Sequence, residues 1–154
     1  MTDTERSRAV VRDYITALQQ GDVDGLRASF TDDATWWLSG DLPVSGTWTG
    51  PGEILDSFLA AMLARLDPSR PVTQDLKGLV ADGDTVVAEW TSRATTKDGR
   101  DYENDYAVVF VVRGEKIAAV REYFDTGYAQ RVLFDDGALG GDTLRLARPA
   151  RRTL

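Results

Sequence analysis

The chain of 154 residues contains neither cysteine nor histidine and carries a formal net charge of −7. The absence of these residues excludes disulfides, thiolate nucleophiles, cysteine-ligated metals and any Ser-His-Asp triad. The acidic balance argues against nucleic acid as a partner, and no apolar run approaches the ~18 residues that a membrane span needs. The first residues do not resemble a signal peptide, so we expect a cytoplasmic protein without membrane or nucleic acid as partners.

We expect mainly helices in the first half of the chain. They are predicted over residues 8–22, 23–30 and 51–66. In the first of these, RAVVRDYITALQQGD, apolar side chains recur with a 3.6-residue period that Gly21 closes. DDATWWL, residues 32–38, reads as a strand, and residues 39–50, rich in Gly, Ser and Pro, read as a loop.

The second half of the chain changes to strands. They are predicted over residues 72–81, 85–96, 100–113 and 116–125. The segments DGD, KDG and RGE between them are typical of hairpin turns. Helices followed by a four-stranded antiparallel meander indicate an α+β fold with helices on one face of the sheet.

The end of the chain differs in composition from the rest. From Thr143 onward it holds four arginines and no acid. We therefore divide the chain into one domain, residues 1–135, and a Gly/Arg-rich tail, residues 136–154. We expect the tail to add nothing to the core, because it has few apolar residues to bury.

One carboxylate stands out in the last predicted strand, VREYFD. Side chains alternate between the two faces of a strand, so Glu122 points the same way as Val120 and Phe124. Such an acid is either a surface residue or a carboxylate inside a pocket. In a pocket it would lose hydration and its pKa would rise, as a general acid or base at neutral pH requires.

The two preceding strands raise the same question. In YENDYAVVF, Asn104 is the one amide in an apolar and aromatic row that includes Tyr106. In VVAEWTSR, the polar residues Glu89, Thr91 and Arg93 alternate with Ala88, Trp90 and Ser92. The polar set is compatible with a solvated face as well as with a site, and the tryptophans are compatible with a core.

Three stretches resemble the NTF2-like, or SnoaL-like, superfamily, which includes ketosteroid isomerases. They are AVVRDYITALQQGDVDGLRASFTDDAT, GTWTGPGEI and YENDYAVVFVVRGEKIAAVREYFD, and the resemblance spans roughly residues 6–130. It implies an α+β cone, in which a curved antiparallel sheet wraps around N-terminal helices and encloses a pocket. It also implies a homodimer through the outer face of the sheet. We expect Ala88, Trp90, Val109 and Val111 to form that outer apolar patch.

The resemblance places some functional positions of known members on this sequence. Tyr14 falls where ketosteroid isomerases carry a tyrosine that donates to the dienolate oxygen, whereas Leu38 and Val108 fall on their two acids. Glu122 falls on the last acid of the Asp-Arg-Asp set of limonene-type epoxide hydrolases, but Glu89 and Thr91 replace the other two members. The resemblance thus implies that seven side chains face the cone interior: Glu89, Thr91, Arg93, Asn104, Tyr106, Glu122 and Phe124.

The resulting functional prediction is an acid–base enzyme that needs no metal or organic cofactor and acts on an apolar carbonyl compound by isomerisation, cyclisation or elimination. The expected catalytic residues are Glu122, Tyr14, Asn104 and Tyr106. The expected substrate-binding residues are Glu89, Thr91, Arg93, Trp37 and Phe124. Two alternatives stay open: epoxide opening by water that Glu122 activates, and a non-catalytic binding or dimerisation module in which Glu122 pairs with Arg93. Which of Trp36, Trp37 and Leu38 faces the pocket also stays open.

Overall fold

A computed structural model describes residues 1–134 of the chain; the predicted tail, residues 136–154, lies outside the described residues. The first helix is α1 (Asp3–Gln20) and the second is α2 (Val23–Ala28). A third helical segment runs through α3 (Gly50–Gly52), a π-helical stretch (Glu53–Leu59) and α4 (Ala60–Leu63). After the sheet come α5 (Thr126–Ala129) and a second π-helical stretch (Gln130–Phe134).

Helix α1 begins earlier than its apolar period suggests, because a capping box precedes it. The Thr2 hydroxyl accepts a hydrogen bond from the Glu5 backbone N–H, and the Glu5 carboxylate accepts one from the Thr2 backbone N–H. The helix ends at Gly21, whose φ of 65° lies in the left-handed region that glycine adopts without strain. Tyr14 and Ile15 lie on its buried face.

Within residues 1–134, six strands form one sheet. They are β1 (Phe30–Leu38), β2 (Gly46–Thr49), β3 (Thr73–Asp82), β4 (Thr85–Thr95), β5 (Asp101–Arg113) and β6 (Lys116–Phe124). Their order across the sheet is β2-β1-β6-β5-β4-β3. The antiparallel meander β3 to β6 confirms the α+β prediction, and β1 adds to its edge in parallel with β6.

Strand β2 corrects the expectation of a loop over residues 39–50. Its backbone pairs with the end of β1, with Trp48 opposite Trp36. The segment still contains a loop, but its last residues lie in the sheet because β1 would otherwise be an open edge at this point. Trp48 and Val44 are buried, so the segment also contributes to the core.

The core lies between the helices and the inner face of the sheet. That face is formed along β5 by Tyr102, Asn104, Tyr106, Val108 and Phe110, which are all buried. Register shifts interrupt β3 between Leu76 and Gly78, and β6 between Ile117 and Ala119, and such bulges bend a sheet around its packed helices. Among residues 1–134, none of the helices is both long and apolar enough to cross a membrane.

The outer face of the sheet differs from the expectation. Val109 and Val111 lie on it and are half-buried, as predicted. Trp90 and Ala88 are buried on the inner face, opposite Tyr106 and Val108. The predicted outer patch was therefore wrong in these two members, because the larger apolar residues of β4 point to the core.

Candidate active site

A cavity of about 500 Å³ lies between the helices and the inner face of the sheet. Its wall is mainly apolar and aromatic, which suits an apolar small molecule. Its aromatic lining residues are Tyr14, Trp36, Phe58, Trp90, Tyr102 and Tyr106. Glu122 is the only acid that lines it among the described residues, and no lysine or arginine of that part of the chain does so.

Glu122 is placed in the cavity wall by the alternation of β6, as expected for a pocket carboxylate. It is 8% exposed. Its Oε2 accepts a hydrogen bond of 2.7 Å from the indole N–H of Trp36 on β1. Within residues 1–134, Trp36 is the one side chain that hydrogen-bonds this carboxyl group, so Oε1 has no side-chain partner there. The carboxyl group is thus fixed at one oxygen and available at the other.

Burial sets the protonation of Glu122. Loss of hydration disfavours the charged form and raises the pKa of Glu122 to about 7, although the hydrogen bond from Trp36 acts in the opposite direction. The predicted alternative of an ion pair with Arg93 is wrong. Arg93 lies on the outer face, where its guanidinium is 3.2 Å from Glu103 and 3.8 Å from Asp75.

Tyr14 reaches the cavity from helix α1. It is 3% exposed, and its hydroxyl makes no hydrogen bond to any of residues 1–134. Burial and the nearby charge of Glu122 both raise the pKa of Tyr14, so its hydroxyl stays protonated and can act as a donor. The structure therefore brings Tyr14 and Glu122 into one cavity, as the sequence predicted.

Asn104, Tyr102 and Tyr106 form a hydrogen-bonded chain on β5. The amide nitrogen of Asn104 donates to the Tyr102 hydroxyl and to the backbone carbonyl of Asp125, each at 3.0 Å. The hydroxyl oxygens of Tyr102 and Tyr106 lie 2.6 Å apart. Tyr106 lines the cavity as expected, whereas Asn104 is not among its lining residues, so the expected direct contact of Asn104 with a substrate is not seen.

Three of the predicted substrate-binding residues lie on the wrong side of the sheet. Glu89 and Arg93 are exposed on the outer face, and Thr91, although buried, lies on the same face and donates to Asp105 at 2.7 Å. The register that pairs Trp90 with Tyr106 and Ser92 with Asn104 fixes this orientation. Its physical reason is that β4 can bury its apolar residues only by turning its charges to water.

The remaining two predicted substrate-binding residues also differ from expectation. Trp37 lies on the outer face, where its ring contacts that of Tyr123 at a centroid distance of 5.3 Å. Phe124 is half-buried on the inner face and stacks on Tyr106 at 4.6 Å, but it does not line the cavity. Trp36, rather than Trp37, faces the pocket and holds Glu122.

Two residues of the site, Trp36 and Tyr102, are not among the catalytic and substrate-binding residues predicted from the sequence. The alternation in DDATWWL left the face of Trp36 undecided, although a buried indole N–H needs an acceptor and Glu122 is the available one. Tyr102 shares the face of Asn104 and Tyr106 in the sequence pattern, so its position was recoverable from period-two alternation alone. No group of three or more acidic side chains within residues 1–134 is placed to hold a metal ion.

Helices packed on one face of a mainly antiparallel sheet, around an apolar cavity with one acid in its described wall, define a small α+β domain with an interior cavity. Residues 11–120 match the model of the SnoaL-like domain, and the chain belongs to this family. A search of curated protein sequences finds no match to the chain.

Solved structures share the fold along most of their length. An NTF2-like protein from Burkholderia xenovorans LB400 is 26% identical, with a TM-score of 0.69 over 84% of this chain and 97% of that one. Bal32a, from a soil-derived mobile gene cassette, is 19% identical, with a TM-score of 0.76 over 86% and 99%. A protein described as a SnoaL-like polyketide cyclase, from Jannaschia sp. CCS1, is 12% identical, with a TM-score of 0.70 over 86% and 94%.

Proposed function

We propose that this protein is an acid–base enzyme that moves a proton next to the carbonyl group of an apolar small molecule, with Glu122 as the proton-transfer residue. One observation carries the proposal: a carboxyl group buried in an apolar cavity, with a pKa of about 7 and one unpartnered oxygen. A group with this pKa can both take and return a proton at neutral pH.

The reaction follows from the groups in the wall. The Glu122 carboxylate accepts a proton from the carbon beside the carbonyl, the electron pair of the broken C–H bond forms a C=C bond to the carbonyl carbon, and the π pair of the C=O bond moves onto the oxygen. A tyrosine hydroxyl, from Tyr14 or Tyr106, donates to the enolate that forms. Glu122 then returns the proton to another carbon in an isomerisation, or the enolate carbon attacks a second carbonyl in a cyclisation.

The positions of two residues on β4 favour proton transfer at carbon over epoxide opening. By the resemblance to epoxide hydrolases, activation of water requires an arginine and a second acid besides Glu122. The positions in question, Glu89 and Thr91, lie on the outer face of the sheet. Neither can contact a ligand in the cavity, so proton transfer at carbon is the better-supported use of Glu122.

Deuterium exchange tests the proposal without knowledge of the natural substrate. We expect the protein to accelerate exchange of the protons beside the carbonyl of 2-tetralone, an apolar bicyclic ketone, in D₂O, as followed by NMR. The rate should rise with pH through about 7, because the carboxylate is the active form. Glu122→Gln keeps the acceptor for Trp36 but cannot take the proton, so its rate should fall to that of buffer.

Two results would contradict the catalytic assignment. Equal exchange rates in the Glu122→Gln variant and the original protein would show that another group takes the proton. Ketones that bind without any accelerated exchange, across a panel of bicyclic ketones, would favour the non-catalytic binding module.

A further inference from the structure

Three side chains on β5 form a hydrogen-bonded chain, and their donor hydrogens can be counted against the acceptors within reach. We call Asn104, Tyr102 and Tyr106 the hydroxyl relay. Both amide hydrogens of Asn104 are used, one by the Tyr102 hydroxyl and one by the carbonyl of Asp125. Asn104 therefore has no hydrogen left for a ligand, and its effect on the cavity must pass through Tyr102.

The two phenol groups share one hydrogen bond, so one phenolic hydrogen is left over. Their oxygens are 2.6 Å apart, and only one hydrogen can lie between them. The Asn104 amide nitrogen that contacts Tyr102 is a donor and cannot accept the second hydrogen. Within residues 1–134 neither hydroxyl has another side-chain or backbone acceptor, and both tyrosines line the cavity. The spare hydrogen is consequently available to an acceptor within the cavity, whichever phenol is the donor.

Asn104 biases which tyrosine presents that hydrogen. Donation from Asn104 polarises the Tyr102 hydroxyl and makes it the better donor toward Tyr106, since hydrogen bonds in a chain strengthen one another. Burial raises the pKa of both tyrosines, and the hydrogen bond between them lowers the pKa of Tyr102 and raises that of Tyr106, which agrees with this direction. Tyr106 is then the terminal donor.

We propose that the hydroxyl relay is the carbonyl-recognition site of the cavity, in which Tyr106 donates to an acceptor oxygen of the ligand, Tyr102 supports it, and Asn104 fixes the direction of the chain. This inference rests on the proposed function only where it identifies the ligand oxygen as that of a carbonyl group. The binding of an acceptor oxygen by Tyr106 does not depend on the proposed reaction. Tyr106 is the specificity residue and Asn104 a positioning residue. The relay selects ligands with a carbonyl or similar acceptor and gives no advantage to a hydrocarbon of the same shape.

The relay also couples to Glu122. Glu122 and both relay tyrosines line the same cavity, and the negative charge of Glu122 raises the pKa of Tyr102 and of Tyr106. An anionic ligand oxygen at Tyr106 is therefore disfavoured while Glu122 is ionised. It becomes favourable once Glu122 has accepted the proton, so that a single negative charge moves from one end of the site to the other.

Two shape-matched probes test the proposal by calorimetry. 2-Acetylnaphthalene carries a carbonyl oxygen, and 2-isopropylnaphthalene replaces it by a methyl group. The measurement is made at pH 8, where Glu122 is ionised and cannot itself donate. We expect the ketone to bind about tenfold more tightly than the hydrocarbon, the equivalent of one good hydrogen bond. The affinity ratio should fall to about one in Tyr106→Phe.

The relay variants and one matched control complete the design. Asn104→Leu and Tyr102→Phe should each lower the ratio several-fold, and Tyr102→Phe leaves the contact between Asn104 and Asp125 intact. Tyr14→Phe removes the other tyrosine named as a possible donor to the enolate and is the matched comparison: the ratio persists in this variant only if Tyr106, and not Tyr14, binds the ligand oxygen. Affinity for 2-isopropylnaphthalene reports in every variant whether the cavity is still folded.

Several outcomes would overturn the proposal: no preference for the ketone in the original protein, a ratio that persists in Tyr106→Phe, or a ratio that is lost in Tyr14→Phe instead. A ratio untouched by both Tyr102→Phe and Asn104→Leu would also overturn it, because Tyr106 would then act alone. Glu122→Gln separates the two proposals, since it should abolish deuterium exchange and keep the preference for the ketone. Loss of exchange therefore bears on the function, and loss of the ratio bears on the relay.

Discussion

The Glu122 carboxyl group combines burial with a single side-chain hydrogen bond from Trp36 among the described residues. This feature could be predicted from the sequence, since an acid that alternates with Val120 and Phe124 must share their face. Its partner could not, because Trp36 lies 86 residues away and two adjacent tryptophans compete for the same position. Alternation fixes faces within one strand, whereas the contact between two strands depends on the register of the sheet.

The raised pKa of Glu122 predicts that the free energy of unfolding depends on pH. Its folded-state pKa, about 7, lies above the ordinary value of 4.5, so between these pH values the folded protein retains a proton that the unfolded chain has lost. This contribution to stability is present at low pH and is lost as pH rises through about 7. A shift of this size corresponds to about 3 kcal/mol. Glu122→Gln lacks the ionisation and should avoid the loss.

Urea denaturation at pH 4 and pH 8 measures the effect. The free energy of unfolding of Glu122→Gln, relative to the original protein, should be higher at pH 8 than at pH 4 by about 3 kcal/mol. Titration of every other acid cancels in this comparison. A difference that is independent of pH would mean that Glu122 is solvated, and a marked destabilisation at pH 8 would mean that it has a cationic partner.

Strand β4 has the alternation that the sequence predicts but turns the opposite face to the core. The alternation of Glu89, Thr91 and Arg93 against their neighbours was predicted, and the structure confirms it. The predicted face was wrong because the inward-facing positions of β4 were taken from the resemblance to epoxide hydrolases, aligned without gaps. Burial energetics favoured the other face, since Trp90 and Ala94 gain more from leaving water than two charged residues could.

The orientation of β4 can be checked with single cysteines, because the chain contains none of its own. Ser92 lines the cavity, and Arg93, its neighbour, is 47% exposed at the side chain on the outer face. In Ser92→Cys, we expect slow reaction with a maleimide and further protection by 2-isopropylnaphthalene. In Arg93→Cys, the same reagent should react quickly at a rate that the ligand does not change. The reverse protection pattern would restore the original choice of face.

The third helical segment is a further difference at this scale. The apolar period predicted one helix over residues 51–66, and the structure widens part of it into a π-helical stretch, Glu53–Leu59. Ile54, Leu55 and Phe58 of this stretch all line the cavity. Sequence periodicity does not separate the two helical forms over a few turns, which is why the wall of the site was less predictable than the presence of the helix.

For the whole molecule, the class of fold was predictable because turn signals and hairpin spacing determine an antiparallel meander locally. The parallel pairing of β1 with β6 was not, since it joins segments far apart in the chain. The positions of Trp36 and Glu122 depend on that pairing, so the fold class was more accessible from the sequence than the site.

We also propose that two copies of the chain associate through the outer face of the sheet. Val87, Val109 and Val111 form a half-buried apolar strip there. Sedimentation at micromolar concentration should show a dimer that Val109→Glu weakens. Trp90→Glu is not a suitable interface variant, because it would place a charge in the core. A monomer at all concentrations would contradict the proposal.

The parallel contact of β1 with β6 has a consequence for the order of folding. The meander of β3 to β6 can form from neighbouring segments, but β1 and β6 can pair only after a long loop has closed, and such non-local pairing is slow. The Trp36–Glu122 hydrogen bond forms in that same step. We expect the carboxyl group to keep an ordinary pKa until β1 and the helices cover the inner face of the sheet, because burial is what raises its pKa. Refolding near pH 6 should then show proton uptake in the phase that closes the cavity and none in earlier phases.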